Sequence, residues 1–215
     1  MMRLFDYINI RLGLTRRHRR IIDRPLPSGL NYFFCLGGIT FTLFLLQVLT
    51  GLLLSIHYTP SETDAYQSIQ RLHHTVPLGQ MLRSLHHWAA NLMVVMVVLH
   101  MLRVFVTGSY KNPRELNWIA GAALLLITLA FGFTGYLLPW DQKAYWATRV
   151  GTDIAGSTPF IGHFLLVSLR GGENITGATL GRFFTLHVLV LPALIVLLLF
   201  GHFWMIRRQG ISGRL

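Results

Sequence analysis

Four histidines set inside apolar sequence are the residues of this chain best placed to do chemistry. In RSLHHWAANLMVVMVVLHMLR, His86 and His100 lie fourteen residues apart, and no charged residue falls between Trp88 and Leu99. On an α-helix that spacing is about 21 Å along the axis and about 40° short of four full turns. The two imidazoles therefore share a face near opposite ends. In RFFTLHVLVLPALIVLLLFGHFWMIRR, His187 and His202 repeat the arrangement fifteen residues apart, about 22 Å and about 60° past four turns. An ionisable side chain inside a membrane span is costly and points to function. Two helices that each carry a high and a low histidine can hold two metal centres stacked across a bilayer. An imidazole from each side fills both axial positions of a haem iron, which favours electron transfer over oxygen chemistry. The plainer reading of one such histidine is an interhelical hydrogen bond; it does not account for a matched pair of pairs.

Two further stretches share the period. Gly37 and Gly51 in NYFFCLGGITFTLFLLQVLTGLLLSI are fourteen apart, as are Gly121 and Gly135. Small residues let a neighbouring group approach the backbone closely, here two flat macrocycles at the heights of the histidines. The glycine-bearing stretches are thus read as walls and the histidine-bearing ones as ligand carriers. His87 points about 100° away from His86 and is its main rival as ligand. His57, His73 and His74 sit in polar sequence and read as surface residues.

The elements that must position these groups are membrane helices. The chain has 215 residues, 53% hydrophobic, with a mean hydropathy of +0.50, the composition of a polytopic membrane domain. Four spans are predicted at about 31–56, 84–105, 116–138 and 183–206. They contain no Asp, Glu or Lys, and their one arginine, Arg103, sits at a helix end. The net charge of +11 does not indicate nucleic acid, because of where the charge lies. Arg3, Arg11, Arg16, Arg17, Arg19, Arg20 and Arg24 precede span one, Arg103, Lys111 and Arg114 join spans two and three, and Arg207, Arg208 and Arg214 follow span four. These thirteen of the nineteen basic residues fall on one side, the cytoplasmic (n) side by the positive-inside rule, with both termini there. No cleavable leader is apparent in the basic first thirty residues. The single cysteine, Cys35, allows no internal disulfide framework. Two regions are expected: 1–30, an interfacial amphipathic segment ended by Pro25 and Pro27, and 31–215, one four-helix domain.

Parity then fixes the pairing. Spans two and four both run from the opposite (p) face to the n face, so His86 pairs with His187 and His100 with His202. Arg83 and Arg103 flank the two levels and could meet anionic haem propionates, or serve as snorkelling anchors. Pro139 should stop span three, and Pro192 should kink span four between its histidines. KAYWATRVGTDIAG and TPFIGHFLLVSLRGG, in the long connection 141–182, read as two short p-face helices.

FFCLGGIT, RSLHHW, LHMLRV, KNPRELNW, FGFTGYLLPWDQ, RFFTLHVLVLP and HFWMIRRQGISG together resemble the cytochrome b6 family, from residue 31 to the C-terminus without evident gaps. This is the four-helix half of the split cytochrome b of b6f-type complexes. The motifs also resemble the b-type subunit of related menaquinol–cytochrome c complexes. The resemblance implies an all-α, four-transmembrane-helix bundle holding two stacked b haems, His86 and His187 ligating the p-side iron and His100 and His202 the n-side iron. It implies a third, c-type haem linked covalently at Cys35, which the residues alone present as a small buried hydrophobe. Gly37, Gly51, Gly121, Gly135, Arg83 and Arg103 would pack or neutralise the haems. Arg207 would lie near an n-side quinone pocket, and Tyr136, Pro139 and Trp140 would wall a p-side quinol pocket.

The implied function is an electron-transfer subunit of a quinol:cytochrome c or plastocyanin oxidoreductase running a Q cycle, incomplete alone. Implied partners are a three-helix subunit carrying the PEWY motif (absent here), a Rieske iron–sulfur protein and a c-type cytochrome, in a dimeric complex within the lipid bilayer. Two departures stand out. RRHRRIIDRPLPSGL is far more basic than the acidic run of chloroplast and cyanobacterial relatives, and Lys143 replaces an apolar residue after WDQ. Two other readings of the residues are a dihaem membrane anchor of a dehydrogenase or hydrogenase, without the cysteine-linked haem, and a haem-free transporter using its histidines as a proton relay.

Overall fold

The computed structural model describes residues 32–210; the expected interfacial helix within 1–30 lies outside them. The described residues form helices and connecting turns, with no strand among them. A 3₁₀ turn, Tyr32–Cys35, runs into α1 (Leu36–His57). A short helix, α2 (Ala65–His74), leads to α3 (Gly79–Val106), and α4 (Glu115–Leu137) follows. After α5 (Gln142–Gly156) and α6 (Gly162–Arg170) comes a final rod of three parts. These are α7 (Gly177–Thr185), a π turn (Leu186–Val190) and α8 (Leu191–Gln209). The first stretch to His57, α3, α4 and the final rod are each long and apolar enough to cross a membrane.

These spans are apolar nearly all round, as lipid-facing helices must be. Leu45, Leu49, Leu52, Leu53 and Ile56 of α1 are exposed. What packs inside is a thin apolar layer: Leu124 and Ile127 of α4 and Ile195 of α8, with Phe44, Phe131, Leu191, Leu198 and Leu199 against them. The bundle is assembled from two helix pairs, α1 on α3 and α4 on α8.

Helix ends follow local chemistry. Pro139 follows the last turn of α4, and Trp140 turns the chain in the left-handed region at φ +52°. Asp141 then caps α5, its carboxylate accepting the Ala144 N–H at 2.8 Å. Thr176 and Thr179 form a capping box at the start of α7. Arg170, 7% exposed, ties the p-face helices together. It donates to Thr152 Oγ1 (2.8 Å), Asp153 Oδ1 (2.6 Å) and the Glu173 and Arg149 carbonyls. Tyr58, just past α1, donates to the Leu138 carbonyl at 2.6 Å. Burial pushes its phenol well above the ordinary value, so the proton stays on that bond.

Two boundaries and one element differ from the sequence expectation. Span two begins at Gly79 and span four at Gly177, five and six residues earlier than hydropathy marks. Hydropathy sees the bilayer-crossing part, whereas backbone hydrogen bonding continues into the polar turns beyond it. The third difference is α2, expected as loop. Its ten residues average polar, yet Ala65, Ser68 and Leu72 are buried along one stripe, a short amphipathic pattern that polar composition masks.

Candidate functional site

The structure sets His86 of α3 opposite His187 of the π turn. Their ring centroids are 6.4 Å apart with the planes at 69°. Two metal–imidazole bonds of about 2.0–2.1 Å, with about 1 Å from each centroid to its nitrogen, require roughly 6 Å. The gap is therefore the width one coordinated metal ion needs. At the other end, His100 and His202 lie within electrostatic reach of each other. Between the two levels Ala89, Met93 and Val97 of α3 are buried, completing the apolar layer described above.

Each wall glycine backs one histidine. A Cβ on Gly51 would lie 3.2 Å from His86 Cε1, and one on Gly135 only 2.7 Å from His187 Cε1. At the other level the corresponding distances are 3.0 Å for Gly37 to His100 Cε1 and 3.7 Å for Gly121 to His202 Cε1. Each wall glycine thus lets an imidazole approach the backbone closely.

The π turn accounts for the unequal spacings. The Leu191 N–H bonds to the Leu186 carbonyl five residues back, and this wider turn takes up one residue. His187 and His202, fifteen apart in sequence, so acquire nearly the offset of His86 and His100, fourteen apart. Pro192, expected to kink the helix, follows immediately at the start of α8, where the irregularity already lies.

Hydrogen bonds hold the first level. Thr50 Oγ1 lies 2.8 Å from His86 Nδ1 and donates its own proton to the Leu46 carbonyl at 2.7 Å. Thr134 Oγ1 lies 2.9 Å from His187 Nδ1 and donates to the Ala130 carbonyl at 2.8 Å. With each hydroxyl proton spent, the imidazole must be the donor. Nδ1 carries the hydrogen and Nε2 keeps its lone pair for a metal. Gln47 Nε2 also donates to the His86 carbonyl at 2.8 Å. Sequence reasoning missed these threonines, although a Thr-Gly dipeptide stands at both positions, Thr50-Gly51 and Thr134-Gly135.

The remaining candidates are placed as follows. His87 is exposed and packs edge-on against Trp88. Arg103 stacks over the Phe34 ring at 4.6 Å, its Nε buried without a partner among the described residues. Arg83 donates to His73 Nε2 at 3.1 Å. Burial, then the Arg83 and His74 charges, lower the His73 pKa, so His73 stays neutral and able to accept. Cys35 is exposed at the cap of α1, two residues before Gly37. Arg207 is exposed in the last turn of α8. Tyr136 is exposed and Pro139 partly buried. Trp140 lines an open depression of about 510 Å³ with Tyr66, Asp141, Gln142 and Lys143. Tyr66 was missed because it rides on α2.

Among the described residues no three His, Cys, Asp or Glu side chains gather as they would around a bare metal ion. The His86–His187 imidazoles, backed by glycine and separated by one metal's width, suit an iron whose other ligands come from a macrocycle.

Comparison with known proteins agrees with that geometry. The family model Cytochrome b/b6/petB matches residues 21–210. Cytochrome b6 of Heliobacterium mobile is 49% identical over 201 residues, 93% of this chain and 94% of the relative. The menaquinol:cytochrome c reductase cytochrome b subunit of Geobacillus thermodenitrificans is 45% identical over 221 residues, 99% of each chain. In structure, a chain of a hyperthermophilic respiratory Complex III superposes with a TM-score of 0.92 at 30% identity, covering 98% of this chain and 56% of that one. Four membrane-length helices, two histidine pairs and a family match over nearly the whole length have one reading: this chain belongs to the cytochrome b/b6 family.

Proposed function

We propose that this chain is the transmembrane electron-transfer subunit of a quinol:cytochrome c or plastocyanin oxidoreductase. In this reading His86 and His187 hold a p-side haem b and His100 and His202 an n-side haem b. Cys35 carries a covalent c-type haem beside an n-side quinone site that includes Arg207. Tyr136, Pro139 and Trp140 form one wall of a p-side quinol site. The observation that carries the reading is the opposed His86–His187 pair, 6.4 Å between centroids.

When bound, the haems would relay single electrons from quinol oxidation at the p face to quinone reduction at the n face, coupled to proton translocation; the redox chemistry is theirs. The chain's own residues supply the rest. The four imidazoles offer Nε2 lone pairs, Gly37, Gly51, Gly121 and Gly135 leave room for the rings, and the central apolar layer excludes water between the levels. Arg83 and Arg103 place positive charge near each level, where propionates would need it. The basic n-face segments put both termini in the cytoplasm. A PEWY-bearing three-helix subunit, a Rieske protein and a c-type cytochrome complete a dimeric complex.

The test is haem staining after denaturing electrophoresis, paired with a reduced-minus-oxidised spectrum. Haem retained through denaturation, with b-type bands in the native protein, is expected. In His187→Ala the p-side b component should disappear while stained haem remains. Two intact b components in that variant would overturn the pairing, and a colourless wild-type protein would overturn the reading.

A further inference from the structure

The two histidine levels are not built alike. At the p-side level both Nδ1 atoms face a threonine hydroxyl, Thr50 at 2.8 Å and Thr134 at 2.9 Å. At the n-side level His100 Nδ1 and His202 Nδ1 are buried with no hydrogen-bond partner among the described residues. The Asn117 backbone approaches His202 without meeting the distance and angle of a hydrogen bond to Nδ1, and no side-chain hydroxyl of the described residues stands there. The difference is written into the wall helices. The residue before each p-side glycine is threonine, and the residues before Gly37 and Gly121 are Leu36 and Ala120, which have no polar side-chain atom to offer.

An imidazole that donates its Nδ1 hydrogen is fixed in tautomer and ring orientation, and is a more basic ligand through Nε2. A more basic ligand stabilises the oxidised, more highly charged metal over the reduced one. We propose that Thr50 and Thr134 are positioning residues that make the p-side histidine pair the more electron-donating of the two. The consequence is a lower reduction potential at the p-side level. The two threonines thereby set a downhill direction for electrons, from p to n, within one chain. This rests on the bis-histidine haem reading given above.

The test is a redox titration of the b bands in the purified complex, with the low-spin electron paramagnetic resonance signals as a second readout. The variants are Thr50→Val and Thr134→Val, which keep the branched shape and remove the hydroxyl. Losing an outer partner of this kind costs about 10–100-fold in metal affinity. If the loss falls on the ferric state, each tenfold raises the midpoint by about 59 mV for a one-electron couple. Each valine variant should therefore move the p-side midpoint upward and leave the n-side midpoint in place. Thr→Ser at the same positions should return it.

The reciprocal variant is Ala120→Thr, which introduces a hydroxyl before Gly121 and should lower the n-side midpoint. It also decides the matter if the valine proteins fail to assemble. An unchanged p-side midpoint in both valine variants at full haem content would overturn the proposal. So would equal movement of both midpoints, or no movement in an assembled Ala120→Thr protein. Absence of two b components in the wild-type titration would instead refute the haem reading beneath it.

Discussion

Substituting the four wall glycines one at a time by alanine should give four different results, ordered by distance. Alanine in place of glycine within a helix gains about 0.5–1 kcal/mol in backbone entropy, so any loss must come from the new Cβ. At Gly121 the Cβ would sit 3.7 Å from His202 Cε1, within ordinary contact, and nothing need move. At Gly135 it would sit 2.7 Å from His187 Cε1, and reaching ordinary contact at 3.4 Å takes a retreat of about 0.7 Å. A ligand constellation tolerates only about 0.5 Å of displacement, and overpacking of this kind costs about 1–3 kcal/mol. Gly37 and Gly51, at 3.0 and 3.2 Å, need about 0.4 and 0.2 Å. Gly135→Ala should therefore lose the p-side b component while keeping the n-side one. Gly37→Ala should weaken the n-side component, Gly51→Ala should be mild, and Gly121→Ala should keep both and gain slightly in thermal stability. The assay is haem-to-protein ratio with potential-resolved difference spectra. If Gly121→Ala lost its haem as completely as Gly135→Ala, or Gly135→Ala kept both, close approach to the imidazoles would not be what the glycines are for.

Other outcomes can be stated for the p face. Arg170→Met should loosen α5 from α6 by about 1–2 kcal/mol, through the hydrogen bonds lost at Thr152 and the Arg149 and Glu173 carbonyls, while Asp153, half exposed, is screened by water; faster hydrogen exchange in 142–170 would register it. Arg170→Lys should not rescue, because an ammonium cannot reproduce the planar fork that serves Thr152, Asp153 and two carbonyls at once. His73 gives a pH dependence whose sign follows from its lowered pKa. The unfolded chain binds that proton more readily, so the contribution of the Arg83–His73 contact is complete above the unfolded value of about 6.5. It is lost as pH falls through the lower folded value. Hydrogen exchange across 65–83 should therefore quicken on acidification, and His73→Gln, which keeps an acceptor for Arg83, should flatten that response. An unchanged profile in the glutamine variant would show that another group is responsible.

Much of this was legible in the sequence because membrane helices obey simple rules. Span number followed from hydropathy, and the opposition of His86 to His187 followed from helical phase plus the parity of the crossings. The fifteen-residue spacing of His187 and His202 was read as a 60° mismatch because phase counting assumes an unbroken α-helix, and the π turn removes the mismatch. The imidazoles behind the glycines were not foreseen for a related reason: period fixes height along a helix but not every atom that meets its surface. The contact of the Arg83 guanidinium with His73 was not foreseen, because it comes from a helix that polar composition had concealed. Thr50 and Thr134 escaped notice because threonine in a membrane helix usually bonds its own backbone; both do that here as well.

The pairing of α1 with α3 and of α4 with α8 bears on how the protein comes together. Each proposed metal centre takes one imidazole from each pair, so it lies on the seam between them. A metal bridging that seam acts as a further crosslink between two hairpin-like modules already joined by α3–α4 packing, the Phe41–Phe203 edge contact and the Tyr58–Leu138 hydrogen bond. Loading and final assembly then become one event, with binding free energy counted as folding free energy. The amount of correctly closed bundle in a cell would track haem supply rather than synthesis of the chain.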